Sequence, residues 1–492
     1  MNKDSRPLPV KENLGRLFAS GLVWTAAARF SAQLLSWASF VIVARLLTPA
    51  DFGVVTGAST FTGIIALIAE FGLGSAIIAR PSLTSTEKSQ LLGASVLAGL
   101  LAMLVCLAMS IPLSKVLKLA ALREIVPVVG CTLAIVTVNS VYLAILRREM
   151  AFSNVALIEM LKAISQAAFS LAFAVLGWEY WALVLSELGS AVVMLLLLQS
   201  RLQLRPQAPN RSVLGDWVVF GRDLVISRVA WYAYTNADFV IVGRRFGGTA
   251  LGDYSLAFTL VSLPVDKLAT LIFSVAPSVL ARLRDDPDAL KGYILLLFEL
   301  LAIVVLPLSV GLSLTVRELV IVVLGDKWER AIPLVQAMSL FAIAKSFAPI
   351  SAAVLISIGN TSEPRRQSLV GLAVMPLAFL IGSFWGVLGV AMAWTVVFPF
   401  LTIAQLARAM RALQIHVRNI FTTIRPALYS TVIMALVLGL MKLMLSTTVF
   451  PVYSRLCLLV LTGAVTFLLS MWVLARQRLR VLWTSLRRPQ SM

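Results

Sequence analysis

The chain has 492 residues, of which 59% are hydrophobic and 13% charged. No water-soluble domain of this length carries that much apolar surface, so a soluble enzyme is excluded. Its charge is lopsided as well, with 42 Lys and Arg against 23 Asp and Glu, a net of +19. Apolar runs of ~18–25 residues recur along the chain, enough for helices to cross a ~30 Å hydrocarbon layer. Backbone groups in lipid must be satisfied within their own segment, which makes helices the default.

Residues 1–20 form a mostly polar tail. It lacks a short apolar core followed by a small-residue cleavage site, so no removable signal peptide is expected. Fourteen spans follow, at 21–44, 53–78, 91–112, 125–146, 155–176, 181–199, 217–243, 254–280, 292–315, 333–357, 368–384, 387–407, 427–445 and 455–475. The fifth and sixth lie close together, as do the eleventh and twelfth, and the count is weakest there. The predicted fold class is an all-α integral membrane protein of about 14 transmembrane helices. Six helices form a first lobe over 21–200, and six more form a second over 217–410. Between them 201–216 is polar and basic and holds Pro206 and Pro209, as an inter-lobe linker does. Two additional helices lie in 411–475, and 476–492 is a basic tail.

The lobes are related in sequence. Arg29 to Gly53 aligns without a gap to Arg228 to Gly252, sharing Arg29/Arg228, Ala38/Ala237, FVIV-x-Arg at Phe40–Arg45 and Phe239–Arg244, and Gly53/Gly252. Downstream, FGLGSAIIAR ending at Arg80 echoes FSVAPSVLAR ending at Arg282. Six spans separate the matching helices, so they run in the same direction. The halves are then parallel repeats about an axis along the membrane normal, an arrangement found in transporters.

Seven of the cations fall inside spans, away from their end residues: Arg29, Lys162, Arg222, Arg228, Lys267, Lys345 and Lys442. Ten lie on one side of the membrane: Arg45, Lys115, Lys118, Arg123, Arg244, Arg245, Arg317, Lys327, Arg330 and Arg455. The remaining 25 lie on the other side, with both termini. That bias places the termini in the cytoplasm and calls for an even number of spans. The basic excess reads as topology and anionic-lipid contact, not as nucleic-acid binding. Cys106, Cys131 and Cys457 all fall in apolar spans without metal-site spacing, and read as small buried filler. The lone His416, in a basic loop, excludes a His-based triad. No glycine loop with Lys is present to bind ATP, and no cofactor is expected.

A charge at mid-membrane costs ~2.5–3.5 kcal/mol or more and almost always faces an interior or a wet cavity. In the first span Thr25, Arg29, Gln33 and Ser36 share one helical face, and in the seventh Arg228, Tyr232, Thr235 and Asp238 form a matching stripe. The expectation is that both helices line one central cavity; the competing reading has Arg29 fastening helices through an acidic neighbour. Of the other charges in spans, Glu159 and Lys162 at i, i+3 are placed to satisfy each other. Asp266 and Lys267 point to different faces, which leaves one for the cavity, and Lys345 lies deeper in its span. Arg222 and Asp223 sit at a cytoplasmic mouth and can snorkel to water. The candidate substrate-binding cations are therefore Arg29, Arg228, Lys345 and Lys267, and the candidate polar or coupling groups Gln33, Asp238, Glu70 and Asp266. Such a cavity suits an anion, and guanidinium forks match phosphate oxygens. An inside-negative potential drives an anion outward by ~2.3 kcal/mol per charge per 100 mV. Coupling to that potential, or to a proton or sodium gradient, stays open.

Gly21–Ser59, Phe71–Arg80, Phe220–Gly248 and Val322–Leu340 resemble Wzx-type polysaccharide and O-antigen flippases of the multidrug/oligosaccharidyl-lipid/polysaccharide superfamily, over about residues 15–410. The resemblance implies a two-lobe, V-shaped fold. It also implies alternating-access export of undecaprenyl-pyrophosphate-linked repeat units across the bacterial cytoplasmic membrane, for exopolysaccharide or lipopolysaccharide assembly. Arg29 and Arg228 match the family's cavity cations, and no motif carries an ion site. Membrane lipids, a polysaccharide polymerase and a chain-length regulator are the partners implied. Two alternatives remain. A multidrug cation antiporter on the same fold needs acidic cavity groups, and a membrane glycosyltransferase or polymerase needs catalytic groups on a sizeable loop.

Overall fold

The computed structural model describes residues 33–70, 77, 83–210, 228–283, 286–357, 362–446 and 450–476, and every regular element among them is helical. Two compact units divide the chain, Met1–Val229 and Ala230–Met492.

In the first unit, α1 (Gln33–Leu46) turns into α2 (Pro49–Glu70) through a polar cap. The Thr48 amide and hydroxyl both donate to Asp51 Oδ2, at 2.8 and 2.6 Å. Pro49 opens the helix where no amide is needed. The next helix, α3 (Ser85–Leu117), opens on a capping box in which Glu87 accepts from the Thr84 amide and Thr84 Oγ1 from the Glu87 amide. Then come α4 (Leu122–Arg148), α5 (Phe152–Val175) and α6 (Trp181–Leu202). The closest packing joins α3 to α4: a Cβ on Gly99 would lie 2.8 Å from the Ala134 carbonyl oxygen, and one on Gly130 would lie 2.8 Å from the Cys106 Cβ. Lipid supplies no hydrophobic drive between helices, so backbones held close by small residues take its place. Asn139 adds a buried bond to the Ala191 carbonyl at 3.0 Å, which ties α4 to α6. After α6, residues 203–210 run without regular structure along α3. The Gln207 amide donates to the Ser89 carbonyl, and Tyr142 Oη to that of Leu204.

Helix α7 (228–235) begins with the last two residues of the first unit and leads into α8 (Ala237–Arg282) of the second. Gly247, at φ 85°, breaks α8 in the left-handed region that glycine tolerates. That break falls between the seventh and eighth expected spans. Asp286 caps α9 (Pro287–Val323) by accepting from the Ala289 amide. A 3₁₀ turn (Asp326–Ala331) precedes α10 (Ile332–Ser339), and the chain bends by 43° into α11 (Phe341–Ser357). The remainder is α12 (Ser362–Gly382), α13 (Gly386–Ala412), α14 (Val417–Ser446) and α15 (Val452–Leu474). The last two helices pack on α9 through Met434, Leu438, Leu445, Leu459 and Phe467, so they are part of this unit. Elsewhere Phe239, Tyr254, Phe258, Phe341, Phe379, Trp394 and Phe398 pack ring against ring, joining α8, α11, α12 and α13.

Among the described residues nine helices are long and apolar enough to cross a membrane, or ten with the bent pair counted as one. The protein is therefore a multi-pass membrane protein. Each of the fourteen expected spans overlaps a helix. The smaller number arises partly because residues 1–32 and 211–227 lie outside the described set. Leu101, Leu196, Leu436, Leu461 and Leu468 stand exposed on these helices, as lipid contact requires. One expectation is corrected: Cys106 is buried, but Cys131 and Cys457 are exposed. An apolar run fixes depth in the bilayer and not which face looks outward.

Gly99→Leu should separate α3 from α4 and reduce the yield of monodisperse protein in fluorescence-detected size exclusion severalfold. Gly439→Ala, where an added Cβ meets nothing within 4 Å, should leave it unchanged.

Candidate functional site

The charged residues of the spans are organised within each unit. In the first unit Lys162 on α5 reaches Glu187 on α6 at 2.9 Å, and Gln166 Nε2 donates to the other carboxylate oxygen. Glu159 pairs with Arg147 Nη2 at 3.0 Å. The expected Glu159–Lys162 pair is thus corrected: the turn after α4 returns the chain beside Arg147, and Lys162, one turn deeper, faces α6. Lys88 pairs with Glu149.

Arg29 lies outside the described residues. Gln33, the first described residue of α1, is half-buried. Arg228 opens α7 at the protein surface, near enough to Glu70 at the end of α2 for their charges to interact. Glu70 itself is half-buried.

In the second unit Lys345 Nζ and Asp266 Oδ2 meet at 2.9 Å, which brings two of the candidate residues together. The ammonium also sits 5.3 Å from the centre of the Phe258 ring. Lys267, next in the chain, is exposed and turned elsewhere. Asp238 is completely buried among the aromatic rings. Its Oδ2 accepts from Tyr254 Oη at 2.8 Å and Trp394 Nε1 at 2.7 Å, and its Oδ1 from the Phe239 amide at 2.9 Å. The expected polar stripe therefore does not hold together as one face. Thr235 bonds back to the Trp231 and Tyr232 carbonyls, while Asp238, past the bend at Asn236, is drawn inward by its donors. No local sequence signal announces Tyr254 and Trp394 as its partners, because Trp394 is 156 residues away. Among the described residues no group of His, Cys, Asp and Glu could hold a metal ion.

A family model described as polysaccharide biosynthesis protein matches residues 42–333, more than half of the chain. The chain belongs to that family. Among the relatives of this family member is the lipopolysaccharide biosynthesis protein WzxC of Escherichia coli (strain K12), 22% identical over 386 residues, or 77% of this chain and 78% of the relative. Another is the succinoglycan biosynthesis transport protein ExoT of Rhizobium meliloti (strain 1021), 22% identical over 377 residues and covering 75% of each chain. Among solved structures, the lipid II flippase MurJ in its inward closed conformation superposes with a TM-score of 0.73 at 12% identity. The match covers 93% of this chain and all of that one, and it shows a shared fold.

Asp238→Ala leaves three buried donors without their acceptor, at about 1–3 kcal/mol each. It should lower the thermal unfolding midpoint of the purified protein by several degrees. Asp238→Asn, which keeps one acceptor oxygen, should lose less.

Proposed function

We propose that this polysaccharide biosynthesis protein is a transporter, not an enzyme, that flips lipid-linked oligosaccharide repeat units across the bacterial cytoplasmic membrane by alternating access. The substrate is an undecaprenyl-pyrophosphate-linked oligosaccharide destined for exopolysaccharide or lipopolysaccharide. Both termini are cytoplasmic, and a polymerase and chain-length regulator act on the product. The family match carries the reading, supported by relatives named for lipopolysaccharide and succinoglycan assembly and by the fold shared with a lipid II flippase.

In this reading Arg29 and Arg228, equivalent by the sequence repeat, hold the pyrophosphate with guanidinium forks. Lys267 and Lys345 add positive potential, and Gln33 adds a polar contact. Transport draws on the membrane potential or on a proton or sodium gradient, with Glu70 as the acidic group for a coupling ion, since Asp266 is held by Lys345 and Asp238 by three donors.

The second reading, a multidrug cation antiporter, needs carboxylates facing a positively charged drug. Its difficulty is that, among the described residues, five carboxylates of the membrane helices are already engaged. Asp266 has Lys345, Glu187 has Lys162 and Gln166, Glu159 has Arg147, Glu318 has Lys442, and Asp238 has three donors. The excess charge of the chain is positive.

Arg29→Ala and Arg228→Ala should each lower export of the lipid-linked oligosaccharide by roughly tenfold, the worth of one lost charge-assisted hydrogen bond. Membrane abundance on immunoblots should stay unchanged. Arg→Lys at either position should fall between, since it keeps the charge and loses the fork. Normal export by both alanine variants at normal abundance would remove these arginines from the substrate site.

A further inference from the structure

In the second unit a 3₁₀ turn (Ser383–Trp385) joins α12 to α13. The two backbones touch beside it, where a Cβ on Gly382 would lie 2.4 Å from the Gly389 carbonyl oxygen. From the turn onward the pair frames a groove of about 610 Å³, a volume within the range of small-molecule sites. Only apolar residues and glycines line it, from Trp385 and Leu388 at the turn to Val374 and Val397 further along. Val374 lies eight residues before Gly382, so the groove runs ~12 Å along the helix axis. Leu377 and Ile381 on its wall are exposed, so it opens on the outer surface of the unit.

A cation stands at the head of the groove. Arg245 on α8, two residues before the break at Gly247, reaches the turn. Its Nη1 donates to Ser383 Oγ, and its guanidinium carbon lies 4.8 Å from the centre of the Phe384 ring. Neither partner carries negative charge, and among the described residues no carboxylate pairs with this side chain, which is exposed. The sequence assigns Arg245 to the side of the membrane with few cations, so orientation by positive charge gives no reason to keep it. Trp385 beside it is 73% exposed, and tryptophan at the end of a membrane helix marks the level of the lipid headgroups. A cation at headgroup level above an apolar groove matches an amphipathic anion. Because one nitrogen is committed to Ser383, the side chain offers a single fork. That fits one phosphodiester and leaves the second phosphate of a pyrophosphate beyond its reach.

We propose that this groove binds an anionic glycerophospholipid of the bilayer, its phosphate held by Arg245 and one acyl chain lying over Gly389, Ala378 and Met392. A zwitterionic lipid brings its own cation to the guanidinium and binds less well. The site lies within the second unit and uses none of the residues assigned to the transported substrate. Its failure would leave the transport reading untouched.

The test uses the full-length protein in phosphatidylcholine nanodiscs, with bound lipid read by native mass spectrometry. Phosphatidylglycerol and undecaprenyl pyrophosphate are added separately. Phosphatidylglycerol should be retained in preference to phosphatidylcholine. Arg245→Gln should reduce that preference about tenfold and leave phosphatidylcholine retention unchanged, whereas loss of a purely structural tie to Ser383 would lower both. Ala378→Phe, which fills the groove, should weaken phosphatidylglycerol retention severalfold. Val465→Phe, which adds the same ring at an exposed position of α15, should not. Arg245 is exposed, so its variant should keep the thermal midpoint of the parent. Phosphatidylglycerol retention indifferent to Arg245→Gln and Ala378→Phe would overturn the proposal. So would sensitivity to Ala378→Phe shown by undecaprenyl pyrophosphate and not by phosphatidylglycerol, or a second copy of the chain bound in place of lipid.

Discussion

A charge inside a membrane helix must find a partner, and that requirement organises this protein more than any contact between apolar surfaces. Lipid tails are as apolar as leucine, so apolar side chains fix the depth of each helix and do little to choose its neighbours. Close backbone approach and polar bonds make that choice. Gly99 and Gly130 bring α3 and α4 together, Lys162–Glu187 joins α5 to α6, Asp266–Lys345 joins α8 to α11, and Asp238 gathers α8 and α13 around Tyr254 and Trp394. Except for Asp238–Tyr254, which lies within α8, each polar bond crosses between helices. Losing one partner strands the other in a poor solvent, which makes these positions costly to change one at a time.

The same pairing decides which sign of charge remains for chemistry. Among the described residues, Asp238, Glu159, Glu187, Asp266 and Glu318, which a cation transporter could offer its cargo, are engaged with Lys, Arg, Gln, Tyr or Trp. The cations outnumber them along the chain, and guanidinium groups recur at matching places of the repeat, Arg29 and Arg228. A phosphorylated lipid fits what is left over, and a positively charged drug does not. The proposed cargo agrees with the chain's place in the polysaccharide biosynthesis protein family.

Much of the fold is legible in the sequence because bilayer thickness sets a length that apolar runs must match. The repeat is readable as well, since FVIV-x-Arg recurs without a gap, and the break between the seventh and eighth spans falls at a glycine run. The pairings are not readable. Glu159 bonds to Arg147 across a turn and not to Lys162 on its own face, because spacing along a helix gives a face and says nothing of which neighbour that face meets. Asp238 has the spacing of a stripe residue, yet its donors come from sixteen and 156 residues away. Cys131 and Cys457 have the context of buried filler and stand exposed. Helix-to-helix contact in lipid depends on rotation about the helix axis, and a uniformly apolar segment carries little record of it.

The central claim is that the cargo is a lipid carrying pyrophosphate. Its most direct test is to reconstitute the purified chain alone in proteoliposomes with an undecaprenyl-pyrophosphate-linked oligosaccharide on the inner leaflet. An impermeant lectin or glycosidase then reports arrival on the outer leaflet. The account predicts protein-dependent arrival of the oligosaccharide and no uptake of an organic cation such as ethidium in the same vesicles. Ethidium movement without oligosaccharide movement would contradict it.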